Sequence, residues 1–534
     1  MSGFTGTGAL LRLALRRDRV ILPVCIVLLV LLAGGSAQAA LALYTTPAEL
    51  TAAARAVNAS PSIVAMFGPI ADPTNPGSIA SFKTVSLGAV FMALLAYALV
   101  RRHTRTEEES GRTELVGAAV VGRRAPLTAA VVEAVGACVL TSAIVAAYLM
   151  GLGLDAAGSV GYGLYWLSAG LAFTGITAVA VQLTQTARGA SAWALGALGA
   201  AYVLRAVGDS SQDGAAALTW LSPLGWGEKL EIYGANRFVV FLIPLVFAIC
   251  LLGLAYALRE RRDLGAGLMA GRSGPPRASA SLSSPLALAW RLQRGAFLGW
   301  LVAYALLGLV LGSVAVNVGD FVSGPKVEQM LRQLGGNASS LSDLYLAAEI
   351  NFLAIGAAAY GISAALRLRS EEAEGHSEQV LATSTSRPAL LGSHALIALA
   401  GSAVLLVVTG LGMALAYGSA TGGVGAAIRH LTPSVVAPIP AVWVCVGLAL
   451  VVFGALPRLV MVAWGVLALF VVVGEFGSVF KLPQSVIDVS PFVHVSVAPG
   501  GSVPPTPLVA LLLIAAALGI AAVGAFRRRD LATP

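Results

Sequence analysis

Charge is what this 534-residue chain has least of: Asp, Glu, Lys and Arg together make up 11% of it, against roughly a quarter in an ordinary soluble protein. That scarcity argues against a soluble enzyme. Lysine is almost missing, represented by Lys83, Lys229, Lys326 and Lys481 alone, so the net charge of +8 is carried by arginine. The arginines sit in short segments between apolar runs and form no patch interleaved with aromatics, which excludes nucleic acid as a partner. The four cysteines, Cys25, Cys138, Cys250 and Cys445, each lie inside an apolar run with no Cys-x-x-Cys spacing. They read as small apolar fillers, and neither a disulfide framework nor a metal site is expected.

Catalytic signatures are missing too. No Gly-x-x-x-x-Gly-Lys-Ser/Thr loop occurs, so the chain does not hydrolyse ATP in the usual way, and no His-Glu-x-x-His motif, Ser-His-Asp set or paired catalytic carboxylates can be assembled. No catalytic or cofactor-binding residues are therefore assigned. Acidic residues are also rare within the apolar runs, where a proton- or sodium-driven transporter normally keeps them at an insertion cost of about 2.5–3.5 kcal/mol each. Glu133 and Glu349 are the main candidates, with Arg205 near the end of another run. They read as end-region or cavity-lining groups.

What remains is apolar. Hydrophobic residues make up 57% of the chain, and mean hydropathy is +0.84. Runs long enough to cross a bilayer as helices fall at 20–43, 81–100, 126–150, 159–183, 190–207, 238–258, 296–316, 346–366, 389–417, 434–455, 458–474 and 507–526. The expectation is an all-α polytopic membrane protein with about twelve spans; a β-barrel would alternate apolar and polar residues instead. The first run is too long for a signal peptide's apolar region and reads as a retained anchor. Before it, Leu10 to Arg17 places Arg12, Arg16 and Arg19 on one helical face, which suits an amphipathic interfacial helix. Leu286 to Arg294 is its counterpart in the second half. Arginine recurs in every second connection, on one side of the membrane, from Arg12 and Arg16 through Arg101, Arg123, Arg259, Arg277, Arg367 and Arg387 to Arg527. By the positive-inside rule both termini are cytoplasmic, in a cell (plasma) membrane.

The chain also repeats itself. TEEESGRTELVGAAVVGR (Thr106 to Arg123) follows the second run, and SEEAEGHSEQVLATSTSR (Ser370 to Arg387) follows the eighth. Aligned without a gap, Glu107, Glu108, Gly111, Glu114, Val116 and Arg123 match Glu371, Glu372, Gly375, Glu378, Val380 and Arg387. Leu221-Ser222-Pro223 corresponds to Val489-Ser490-Pro491, and Arg261-Arg262-Asp263-Leu264 to Arg528-Arg529-Asp530-Leu531. The reading is two parallel six-span repeats, 1–258 and 286–534, joined by a Gly/Ser/Pro-rich cytoplasmic linker at 259–285.

In the first repeated loop Thr106 is placed to cap a short helix, with Glu109 completing a capping box and Glu108 facing Arg112 one turn on. In the second, Ser370 takes the cap position, while Ala373 and His376 replace Glu109 and Arg112. Acidic surfaces of this kind suit a protein partner better than anionic lipid. The candidate docking residues are Glu107, Glu108, Gly111, Arg112 and Glu114, with Glu371, Glu372, Gly375, His376 and Glu378.

The run Glu107 to Val116 followed by Val121-Gly122-Arg123, and its copy from Leu366 to Glu378, resemble permeases of bacterial ATP-binding-cassette exporters. More narrowly, they are similar to the actinobacterial exporters of polyketide antibiotics, the tetronasin type. The resemblance implies that the two loops are coupling helices docked on two copies of a separately encoded cytoplasmic ATPase, which holds the ATP and Mg. It further implies short external or re-entrant helices at 208–235 and 475–506, and efflux of a small hydrophobic or amphipathic substrate such as an antibiotic. The competing expectation is a proton-coupled multidrug antiporter.

Overall fold

A computed structural model describes residues 2–530 apart from 45, 211–216, 264, 270–276, 278, 317–339, 477–482, 496–498 and 500–504. Among the described residues the regular structure is helical, and eleven helices are long and apolar enough to cross a membrane. The run at 458–474 forms a shorter helix, Met461–Phe476, of 16 residues. The chain is a multi-pass membrane protein. It divides into two compact units, residues 1–274 and 275–534.

The first unit contains α1 (Thr7–Arg17), α2 (Ile21–Leu43), α3 (Pro47–Ala59), α4 (Pro61–Phe67), α5 (Pro76–His103), α6 (Arg105–Glu109) and α7 (Arg112–Gly117). It continues with α8 (Ala125–Gly151), α9 (Ala156–Leu183), α10 (Ala187–Ser210), α11 (Ala217–Leu221), α12 (Gly225–Glu228) and α13 (Leu242–Glu260). α9 is the centre, packed by α5, α8, α10 and α13. Its sequence explains that position: glycine, serine, threonine and alanine dominate the buried face, and small residues let helix backbones approach where lipid is as apolar as the core. Trp166 of α9 fills the space that Gly88 of α5 leaves; a methyl group at Gly88 would stand 1.8 Å from the indole. Capping is local and explicit. Asp155 caps α9 through the Gly158 amide, and Thr46 with Glu49 forms a reciprocal capping box at α3.

The second unit contains α14 (Pro285–Ala315), α15 (Leu341–Ala365), α16 (Arg367–Ala373), α17 (His376–Leu381), α18 (Arg387–Thr421) and α19 (Val424–Val436). After these come α20 (Ile439–Ala455), α21 (Met461–Phe476), α22 (Gln484–Ile487) and α23 (Pro505–Arg528). α14 lies along α18, and α20 along α23. The α14 contact is made at Gly308 and Gly312, where an added methyl would meet the carbonyl oxygens of Thr409 and Met413 at 2.4 Å each. The expected interfacial segment at Leu286 to Arg294 is no separate helix. Ser284 caps α14, and the segment runs unbroken into the span. The short helices α11, α12 and α22 fall within 208–235 and 475–506, whose remaining stretches are partly outside the described residues, as is much of 259–285. Ser222 and Ser490, at the two corresponding Ser-Pro corners, are both fully buried.

Candidate functional site: the paired loops

Each unit carries the same two-helix loop after its second long helix. α5 stops at His103, and Thr104 turns its hydroxyl back onto the Val100 carbonyl at 2.6 Å. α6 follows, then a turn at Gly111 with φ +70°, then α7. In the second unit α16 and α17 are separated at Gly375 with φ +75°. Both glycines occupy the left-handed region, which a side chain with a Cβ enters only at a cost.

That break changes the expected pairings. Glu108 does not face Arg112, because the helix ends between them. Instead Glu107 reaches across the turn to Arg112 at 3.6 Å and to Arg17 of α1 at 2.7 Å. Glu371 makes the corresponding contact to His376 at 3.3 Å, along with an ion pair to Arg367. Thr106 and Ser370 are not caps, since both lie inside their helices. Glu109 does not close a box; its carboxylate accepts from the amide of Ala187 at 2.7 Å and so sits at the start of α10, where the helix dipole favours an anion.

Glu108 and Glu372 are not surface groups. The Glu108 side chain is 6% exposed and accepts from three guanidinium groups: Arg105 at 2.6 Å, Arg259 at 3.1 Å and Arg262 at 2.8 Å. Arg262 is itself held by the Gln182 side-chain oxygen at 2.6 Å. Glu372, 3% exposed, takes both arms of Arg529 at 2.7 and 2.6 Å, and that guanidinium lies over the rings of Phe453 and Phe526. Arg262 and Arg529 are the matching residues of the two Arg-Arg-Asp tails. The second-to-third loop of each unit is thus latched onto the end of that unit's last helix. Charge-assisted, bidentate geometry makes such a latch both strong and specific in register.

Two more contacts recur. Arg123 donates to the carbonyl oxygen of Arg262, and Arg387 donates to that of Arg529 at 2.6 Å. Arg105 donates to the carbonyls of Thr184 and Ala266, and Arg369 to that of Pro457 at 3.1 Å. Both arginines thereby bind the connection between the fourth and fifth long helices of their own unit. What remains exposed are Glu114 and Glu378, in the first turns of α7 and α17, with Arg112 and His376 beside them, 58% and 54% exposed. The side chain of Val116, and Leu264 and Leu531 of the tails, lie outside the described residues.

Sequence reasoning found the loops and both tails but not the bond between them. The recurrence of Arg-Arg-Asp after each last span was the signal. It read Arg205 as an end-region or cavity-lining group and missed its partner Glu228. At the far end of α10, Arg205 is buried, pairs with Glu228 at 2.7 Å, and donates to Ser86 and to the carbonyls of Ala65 and Met66. Burial pushes the Glu228 carboxyl above the usual carboxylate range, and Arg205 works against that push. This knot ties α4, α5, α10 and α12 together and is structural.

Residues 282–527 match the family described as multidrug efflux system permease Rv1217c, C-terminal domain. Over 534 residues the chain is 41% identical to the multidrug efflux system permease protein Rv1217c of Mycobacterium tuberculosis (strain H37Rv), spanning 99% of this chain and 96% of that protein. A doubled, loop-latched helical body that matches this permease along its whole length is a transport subunit, and the chain belongs to the Rv1217c family of multidrug efflux permeases.

Proposed function

We propose that the chain is the membrane-spanning subunit of an ATP-driven exporter, powered by two copies of a separate cytoplasmic ATPase that bind one to each two-helix loop. ATP and Mg belong to that partner. The cargo is a small hydrophobic or amphipathic compound, with polyketide antibiotics as the class the loop resemblance favours. Both termini and both loops face the cytoplasm of a plasma-membrane protein. The observation that carries this reading is the duplicated latch: Glu108 on Arg262 and Glu372 on Arg529. A push on either loop passes straight to the last helix of its unit, because a bidentate ion pair resists both sliding and rotation.

The latch separates two groups of acids. Glu108 and Glu372 transmit force inside the chain, whereas Glu114 and Glu378 present the exposed charge to a partner. Co-purification tests the division. Glu114→Lys combined with Glu378→Lys should release the ATPase while leaving the permease as heat-stable as before. Retained ATPase and unchanged transport in that double variant would sink the docking assignment.

The antiporter reading has one observation in its favour, the buried Glu133 carboxylate, whose oxygens receive no hydrogen bond. It predicts transport that collapses with the proton gradient and ignores ATP. The second half carries Ile397 at the aligned position, so a proton route would be confined to one repeat.

A further inference from the structure

Three side chains of the first unit that the loop does not use converge on one buried point. Asp18 lies in the turn between α1 and α2, His103 ends α5, and Glu133 belongs to α8. His103 Nε2 is 2.8 Å from Asp18 Oδ2 and 3.3 Å from Glu133 Oε2. One donor atom from each residue lies within 4.8 Å of the other two. The carboxylates of Asp18 and Glu133 are fully buried, and the imidazole is 6% exposed.

With a neutral imidazole, the two carboxylates share a single guanidinium. Arg102 meets Asp18 Oδ1 at 3.0 Å, whereas the ion-pair partner of Glu133 is the imidazole at 3.3 Å, and neither Glu133 oxygen receives a hydrogen bond among the described residues. Arg17, the next cation on α1, is engaged by Glu107, and Arg19 is exposed. A buried carboxylate that accepts no hydrogen bond is expensive, and a bound cation removes the expense.

We propose that Asp18, His103 and Glu133 bind a divalent transition-metal cation of the zinc class. One imidazole and two carboxylates are donors that suit such ions. Bonds of about 2.0–2.2 Å put neighbouring donors of a tetrahedral centre roughly 3.4 Å apart, so the three atoms need only a small opening to close on the ion. A fourth position is left for water. A cavity of about 60 Å³, lined by Leu13, Ala14, Arg17, His103 and Glu107 among others, adjoins the cluster at His103. The ion joins α1, α5 and α8 at the root of the first loop, since α6 begins two residues after His103. Among the described residues the second unit has no equivalent. Arg367 and Ile397 stand at the aligned positions, and nearby Gln293 instead pairs with His394 at 3.0 Å. The site therefore makes the two loops chemically unequal, and it stands whether or not the loops dock an ATPase.

Calorimetric titration of Zn²⁺ into the full-length chain, purified without a polyhistidine tag and stripped with chelator, tests the site. One ion should bind per chain and raise the thermal unfolding midpoint. Glu133→Gln, which keeps the side chain's shape, should weaken binding by about tenfold or more, since losing even an outer-shell partner of a ligand costs about 10–100-fold. Arg102→Gln, which removes the competing cation from Asp18, should tighten it. His494→Asn, on a different segment, should change nothing. Absence of binding in both the native chain and Arg102→Gln, or binding that survives Glu133→Gln undiminished, overturns the proposal.

Discussion

Glu108 and Glu372 hold their loops by ion pairs removed from water, and such pairs are unforgiving of half-removal. Breaking a buried pair by truncating one partner costs about 3–5 kcal/mol, because the other charge is stranded. Glu108→Ala, Arg262→Ala and Arg529→Ala should each lower the thermal stability of the purified chain by an amount in that range. The double variant Glu108→Ala/Arg262→Ala should lose clearly less than the two single losses added together, since the two residues share one interaction. Strict additivity in that cycle would mean that the latch contributes nothing as a pair. Little of this was legible in the sequence. Glu108 and Arg262 are 154 residues apart, and Glu372 and Arg529 are 157 apart. A motif read locally takes an acid beside a glycine for a surface group. Only the recurrence of loop and tail in both halves hinted that they belong together. The cluster of Asp18, His103 and Glu133 had no such hint, because its members lie on three separate elements and have no counterpart in the second half.

Among helices, hydropathy was a reliable guide wherever the helix must lie in lipid. An apolar run of bilayer length has few folded alternatives there, and eleven of the twelve expected runs reappear as long helices such as Ala125–Gly151 and Ala156–Leu183. It gave no notice of α3 and α4, which start at a capping box and a proline rather than in apolar runs: Thr46-Pro47 with Glu49, and Pro61. The loop helices were found by repetition, but their limits were misplaced by a residue or more because the glycine break was read as part of a continuous helix. Gly111 and Gly375 decide that shape. Gly111→Val and Gly375→Val should each cost about 1–3 kcal/mol, the penalty of forcing a left-handed backbone on a branched residue, and should weaken ATPase capture in a pull-down. Close helix contact supplies a separate prediction. At Gly308 and Gly312 the α18 backbone leaves no room for a methyl, so Gly308→Val should destabilise the second unit by about 1–3 kcal/mol, the usual result of overpacking. Unfolding of the purified variant in detergent measures it, and an unchanged midpoint would contradict the close approach.

At the scale of the whole chain, the same fold-stabilising contacts are built twice, once in residues 1–274 and once in 275–534. Duplication preserved Glu108/Glu372, Arg262/Arg529, Arg123/Arg387 and the two glycines, while Arg112 became His376 and Glu133 became Ile397. What is kept joins a loop to a last helix, and what diverges is local to each loop's root and tip. An importer of ion-gradient energy would instead be expected to keep ionisable residues in the spans. The central claim is that energy enters from outside the lipid-embedded body, through the two loops. Its most direct measurement is uptake of a fluorescent hydrophobic drug into inside-out proteoliposomes holding this chain with or without the proposed ATPase. The account predicts accumulation only when the ATPase and MgATP are both present, unaffected by a protonophore. Accumulation against a gradient by the chain alone, without nucleotide, would contradict it.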